Sequence, residues 1–336
     1  GGGRAGAGAP KRERKQAPPR NAGLLSFEQE LLARGTGVRE DLCMRTCDCY
    51  RGEPGSAKRG AQPYWVEFRA SAAILMDFHA HLCMNEIIGF LGGRWDEQEK
   101  RLIISRALPA AQLVTDDASV EVELDPESVP DICDAFEKEE LQVVGWYHSH
   151  PVFPTQPSIR DIENQLNYQL MFDRNVEQGA SVSPFVGAIV GPYDQKLSEN
   201  VSDIRWFHVA NGSVGDETPF QLDVVRASEG LHPNLFHDLR ALAERFSPAH
   251  DRADMLAHWR GGLSRVDKLC ASLTRQLPSA WADPQKSAYV KAVRDLVERT
   301  WARHTPARRA GARGGDPATA AADGGGGGGG GAAEAA

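Results

Sequence analysis

A mixed α/β domain with a helical extension is the fold this 336-residue sequence predicts, and three observations predict it. Between residues 63 and 210, segments with the alternation or short apolar runs of strands interleave with segments of helical spacing. From 211 to 303 apolar residues recur at spacings of three and four without a strand signal. Half of the 34 glycines fall in residues 1–23 and 302–336, which marks both ends as tails on a body of ordinary globular composition, 41% hydrophobic and 25% charged. That composition excludes wholesale disorder, and the length suffices to bury a core.

Taken in order, residues 1–22 read as a disordered basic arm. Six Lys and Arg in residues 1–20 face a single acid, Glu13, whereas the whole chain carries a net charge of −8, so the remainder is strongly acidic. An acidic body argues against broad nucleic-acid binding, which needs cations clustered on phosphates. Any such contact, or nuclear import, belongs to the run Pro10-Lys11-Arg12-Glu13-Arg14-Lys15. Residues 23–62 are a lead-in, where Leu24, Leu25, Phe27, Leu31 and Leu32 give a short helical signal before a polar linker. Cys43, Cys47 and Cys49 lie there without a CxxC pair, so they read as loop thiols rather than a structural zinc site. The six cysteines do not resemble a secreted disulfide framework, and neither a signal peptide nor a run of ~18 apolar residues is found. The expected location is inside the cell and off the membrane, the nucleus ahead of the cytoplasm.

Within 63–210, Val66, Phe68 and Ala70 alternate with Glu67 and Arg69 in a half-buried strand. Leu75, Phe78 and Leu82 follow at helical spacing, and residues 87–91 form a buried strand expected to close at Gly92-Gly93. Residues 102–104 give another strand, 127–140 a helix with Ile132 and Phe136 inward, and 141–147 a strand running into His148; apolar runs at 185–190 and 204–209 complete the set. Residues 217–247, 252–276 and 284–303 are expected as the helices of a 211–303 extension, free to pack on the α/β domain or to hold a protein partner. Residues 304–336, with eight successive glycines, read as a flexible tail.

The stretch that carries chemistry is His148-Ser149-His150-Pro151, followed by Pro157-Ser158-Ile159-Arg160-Asp161. On a strand, residues i and i+2 project to one side, so both imidazoles converge. Pro151, Pro154 and Pro157 bend the chain before a new helix, whose first turn holds Asp161 as a carboxylate able to fold back as a third ligand. Two His and one carboxylate leave one position of a tetrahedral zinc open, which distinguishes a catalytic ion from a structural one. Ser158-x-x-Asp161 is equally an ordinary capping box. His79-Ala80-His81 falls on a helix, where i and i+2 point about 200° apart, and is set aside as structural or surface. The full His, His, Ser, Asp spacing arises in on the order of one random chain in a thousand. The chemistry also needs a base near the metal but not on it. Glu86, at the head of the 87–91 strand, fits if that strand lies beside the His148 strand, and Ser158 is then available to donate to a developing oxyanion.

Glu86, His148-Ser149-His150-Pro151, Ser158 and Asp161 resemble the JAMM signature of the MPN-domain metallopeptidases. Met76-Asp77-Phe78-His79-Ala80-His81, Phe90-Leu91-Gly92-Gly93-Arg94-Trp95 and Val144-Gly145-Trp146-Tyr147 extend the resemblance toward the eukaryotic MPN domain-containing proteins and the nuclear histone-deubiquitinase branch, over about residues 63–278. It implies a cytidine-deaminase-like curved sheet flanked by helices. It further implies His148, His150 and Asp161 as ligands of one catalytic Zn2+, Glu86 as general acid/base and Ser158 as oxyanion donor. The implied reaction is cleavage of the isopeptide bond between ubiquitin, or a ubiquitin-like modifier, and a lysine of a target protein such as a histone. Residues 173–184 contain no Cys or His for the second zinc of some relatives. A non-catalytic MPN scaffold is the alternative; a zinc nucleobase deaminase is set aside because its P-C-x-x-C is missing.

Overall fold

The computed structural model describes residues 43–112, 124–171, 183–210 and 217–304. The basic arm, the helical signal at 24–32, nearly all of the 173–184 stretch and the tail from 305 lie outside them. In chain order the elements are β1 (Asp48–Cys49), β2 (Trp65–Phe68), α1 (Ala70–Leu82), β3 (Ile88–Asp96), β4 (Arg101–Pro109), α2 (Val129–Glu137), β5 (Gln142–Ser149), α3 (Ile159–Met171), β6 (Val186–Gly191), β7 (Asp203–Ala210), β8 (Thr218–Gln221), β9 (Val224–Arg226), α4 (Leu235–Phe246), β10 (His258–Arg260), β11 (Leu263–Ser264), α5 (Arg265–Gln276) and α6 (Asp283–His304). Among the described residues no helix is long and apolar enough to cross a membrane.

One mixed sheet runs in the order β1-β8-β7-β6-β5-β3-β4-β2-β9, and β10 pairs with β11 separately. β8 and β9 stand near opposite ends of that order, yet only Leu222 and Asp223 separate them in the chain. Three residue steps reach at most about 11 Å, so the sheet has to curl until its edges approach. Gln62 bridges the join: its Oε1 accepts from Asp223 N at 2.7 Å, and its Nε2 donates to the carbonyls of Tyr64 and Asp223.

Alternation along the strands fills both faces of the curled sheet. Leu91, Tyr147, Val190 and Trp206 enter one core, and their neighbours Phe90, Trp146, Ile189 and Phe207 enter the other. α2 and α3 cover the second core through Ile132, Phe136 and Ile162. α1 fills the first, with every one of its residues buried, as befits a helix apolar around most of its circumference. α4 and α5 pack on α1, and α6 packs on both, through Leu239, Leu242, Leu269, Leu273, Val297 and Trp301. The apolar stripes that raised the expectation of a protein partner are therefore covered within the chain.

Several expectations need correction. β3 does not close at Gly92-Gly93 but continues to Asp96 through a register shift between them. The glycines serve close approach instead: a Cβ on Gly92 would enter the Phe136 ring, and one on Gly93 would meet the Ile103 carbonyl. Residues 218–226, expected helical, are β8 and β9, which extend the sheet beyond 210; Pro219 lacks the N–H a helix interior needs, and strands this short carry little periodicity. Residues 258–264, also expected helical, form the β10–β11 hairpin, turned by Gly261 and Gly262 at φ +57 and +83°. His79 and His81 are structural, not surface. Both are buried, His79 Nδ1 lying 3.0 Å from Tyr147 Oη and His81 Nδ1 3.1 Å from Asp77 Oδ1.

Candidate active site and metal centre

β3 and β5 pair antiparallel with Ile88 opposite His148. Counting outward, Glu86 falls opposite His150, on the side of the sheet that His148 shares. Neither Glu86 nor His150 lies in a strand: each sits just beyond one, and three bonds carry the register outward to them. Ser149 N donates to Ile87 O at 3.0 Å, Ile87 N donates to Ser149 Oγ at 3.0 Å, and His150 N donates to Val190 O at 2.9 Å.

Ser158 immediately precedes α3 and caps it. Asp161 N donates to Ser158 Oγ at 3.1 Å, Ser158 N donates to Asp161 Oδ2 at 2.7 Å, and Ser158 Oγ donates to the same oxygen at 2.8 Å. The capping box and the ligand role are compatible, because Oδ2 serves the cap while Oδ1 faces His148 Nε2 at 3.2 Å. A segment from far upstream braces this loop from outside: Arg45 N donates to Pro157 O at 2.8 Å, and the first helical amide, Ile159 N, donates to Cys43 O at 3.0 Å. That amide is one of the donors a helix start cannot satisfy by itself.

The donors converge. His148 Nε2 lies 3.1 Å from His150 Nε2, and His150 Nε2 lies 3.6 Å from Asp161 Oδ2. Ligand atoms at ~2.1 Å from a tetrahedral ion stand about 3.4 Å apart, so the three side chains fit zinc. Among the described residues they are the one group of His, Cys, Asp or Glu able to hold a metal. Cys43, Cys47 and Cys49 join no such group, and burial pushes the Cys47 thiol up to about 12, away from the thiolate a metal needs. Glu86 Oε1 stands 3.9 Å from His150 Nε2, beside the trio.

The surroundings tune these groups. His150 Nδ1 donates to Pro154 O at 2.7 Å, which places the proton there and leaves the Nε2 lone pair for a cation. Trp146 stacks on His148 with centroids 4.7 Å apart, and its Nε1 donates to Gln165 Oε1 at 2.8 Å. Phe153 lies on the His150 ring at 4.5 Å. Burial holds His150 below the usual imidazole range, against the opposing pull of Asp161. Burial would raise Asp161, but the two imidazoles beside it, His148 foremost, outweigh burial and hold the carboxyl well below its usual range. A neutral imidazole at His150 and an ionised carboxylate at Asp161 are forms that bind metal. The sequence reading missed Trp146, although it lies two residues before His148 and the same period of two points to it. Nothing local in the sequence pointed to Pro154 O, Gln165 or the 43–45 brace.

Residues 60–174 match the family model described as JAB1/Mov34/MPN/PAD-1 ubiquitin protease. The chain is 33% identical over 238 residues to an MPN domain-containing protein of Danio rerio, an alignment covering 68% of this chain and 50% of that protein. It is 32% identical over 222 residues to the deubiquitinase MYSM1 of Mus musculus, covering 64% of this chain and 26% of the relative. It is 31% identical over 221 residues to the histone deubiquitinase MYSM1 of Xenopus laevis, again covering 64% and 26%. The chain thus spans half or less of the length of these relatives.

Proposed function

We propose that this chain, which carries a JAB1/Mov34/MPN/PAD-1 domain over residues 60–174, is a zinc-dependent isopeptidase that releases ubiquitin or a ubiquitin-like modifier from a lysine of a target protein. The observation that carries the reading is the convergence of His148 Nε2, His150 Nε2 and the Asp161 carboxylate, at 3.1 to 3.6 Å from one another, with Glu86 alongside. His148, His150 and Asp161 would hold a zinc ion, which would supply Lewis acidity to the scissile carbonyl and acidify water. Glu86, 5% exposed, takes the proton of the attacking water and delivers it to the departing lysine amine. Ser158 Oγ donates to the developing oxyanion, for which its hydroxyl turns away from Asp161 Oδ2. Trp146 and Phe153 flank the imidazoles, limit the water around them and fix their planes.

The names of the relatives support a ubiquitinated histone as substrate, and with it a nuclear site of action to which the basic arm 1–22 would deliver the chain. Catalysis belongs to the domain at 63–210, with the lead-in 23–62 and the extension 211–303 as its support and the tail 304–336 outside the chemistry. The test is metal analysis of the purified protein joined to a cleavage assay on a ubiquitin–lysine isopeptide substrate. One equivalent of zinc and cleavage abolished by chelator are expected; metal-free, inert protein would instead favour the non-catalytic scaffold.

A further inference from the structure

Glu86 follows a short strap, residues 83–85, between the buried end of α1 and the start of β3. A carboxylate working on a bound water needs its position fixed to a fraction of an ångström, yet the strap has no secondary structure of its own beyond an isolated bridge, Cys83 with Arg252. Its bonds run to the loop after α4, more than 160 residues downstream. Ala253 N donates to Leu82 O at 2.8 Å and Met84 N donates to Asp251 O at 3.0 Å. The Asp251 side chain adds two more: its Oδ2 accepts from Asn85 Nδ2 at 3.2 Å and from Cys83 Sγ at 3.2 Å. Burial pushes the Cys83 thiol up to about 12, so it stays protonated as a donor. The downstream loop is itself anchored, because Trp301 Nε1 donates to Ala253 O at 2.7 Å and Arg252 Nη2 donates to His304 O at 2.8 Å, both from α6.

We propose that Asp251 is a positioning residue for Glu86: it ties the side chain of Asn85, the immediate neighbour of Glu86, to a loop held by the C-terminal helices. The proposal rests on the isopeptidase reading for its effect on turnover, and on geometry alone for its effect on the strap. It also gives the extension a task, that of holding one half of a site whose residues all lie upstream of it.

Asp251→Ala removes the shared acceptor, and Asp251→Asn keeps one oxygen in the same place. In Asp251→Ala, kcat on the isopeptide substrate should fall about 10- to 100-fold, the scale of a misplaced catalytic group, with KM within about twofold and bound zinc unchanged, since no ligand is touched. Asp251→Asn should recover most of the loss. Independently of turnover, hydrogen exchange in the metal-free protein should quicken across residues 83–87 and stay at the parent rate across α3. Asn85→Ala, which removes the donor on the partly exposed strap, serves if Asp251→Ala does not fold, and should reproduce both changes in smaller measure. Parent-like kcat with parent-like exchange in the alanine variant overturns the proposal, as does a loss of zinc or a general rise in exchange that Asp251→Asn fails to rescue. If the parent protein cleaves nothing, the isopeptidase reading fails, and exchange across 83–87 still decides the role of Asp251.

Discussion

Glu86→Gln separates proton transfer from metal binding. Glutamine keeps the length and one acceptor oxygen at a position only 5% exposed, so packing around it is preserved. The Glu86 carboxylate stands 3.9 Å from His150 Nε2, outside the 3.1 to 3.6 Å spacing of the trio, so the ligand set loses no donor. What disappears is the group proposed to accept and return a proton. General acid–base catalysis contributes about 10²- to 10⁴-fold, or about 3 to 6 kcal/mol of transition-state stabilisation at ~1.4 kcal/mol per decade. The assay follows kcat on a ubiquitin–lysine isopeptide substrate, with zinc measured on the same sample. The expected result is a loss of at least a hundredfold with one zinc retained. Activity within a factor of ten of the parent refutes the role given to Glu86; zinc lost together with activity shows Glu86 to be a ligand or a structural support instead.

Asp161→Ala removes both a proposed metal donor and half of a capping box; zinc should be lost, and the metal-free variant should also be about 1 kcal/mol less stable to urea, whereas unchanged metal-free stability would show the cap to be energetically idle. Burial, aided by Arg245, holds His79 at about 3, and burial holds His208 at about 4, against an ordinary 6.5. Between those values the unfolded chain binds protons the folded chain excludes, so stability should fall as pH drops from 6.5 toward 4, each histidine accounting for roughly 3 kcal/mol over the full window. His79→Gln, which keeps a partner for Tyr147 and cannot titrate, should lose less of its urea midpoint on acidification, and an identical slope would contradict the assignment. Gly92→Ala drives a methyl into the Phe136 ring, so melting should show about 1 to 3 kcal/mol of destabilisation, with neutrality arguing against close approach as the reason for glycine. Removing residues 1–22 and 305–336 should leave kcat and bound zinc unchanged; loss of either would place part of the site in the ends.

The sequence by itself determined whatever depends on short-range geometry. His148 and His150 share a side because strands repeat every two residues, and Ser158 and Asp161 meet because a helix start brings i and i+3 together. Those two local rules, joined by a loop of three prolines, put the three candidate ligands within reach before any tertiary contact is considered. α1 was legible as a helix for the same reason, although its spacing did not show that it is buried all round, which depends on α4 and α5 covering the side turned from the sheet.

Tertiary structure decided everything that rests on pairing between distant segments. Glu86 reaches His150 only through the register of β3 on β5, and a slip of one residue would turn it to the opposite face. β8 and β9 are too short to announce themselves and exist because the edges of a curled sheet complete their hydrogen bonds. The brace of residues 43–45 on the Ser158 loop and the hold of Asp251 on the Glu86 strap likewise leave no periodic trace. Their partners lie more than a hundred residues away, and a backbone N–H or C=O looks the same in every residue type until the fold sets another one opposite it.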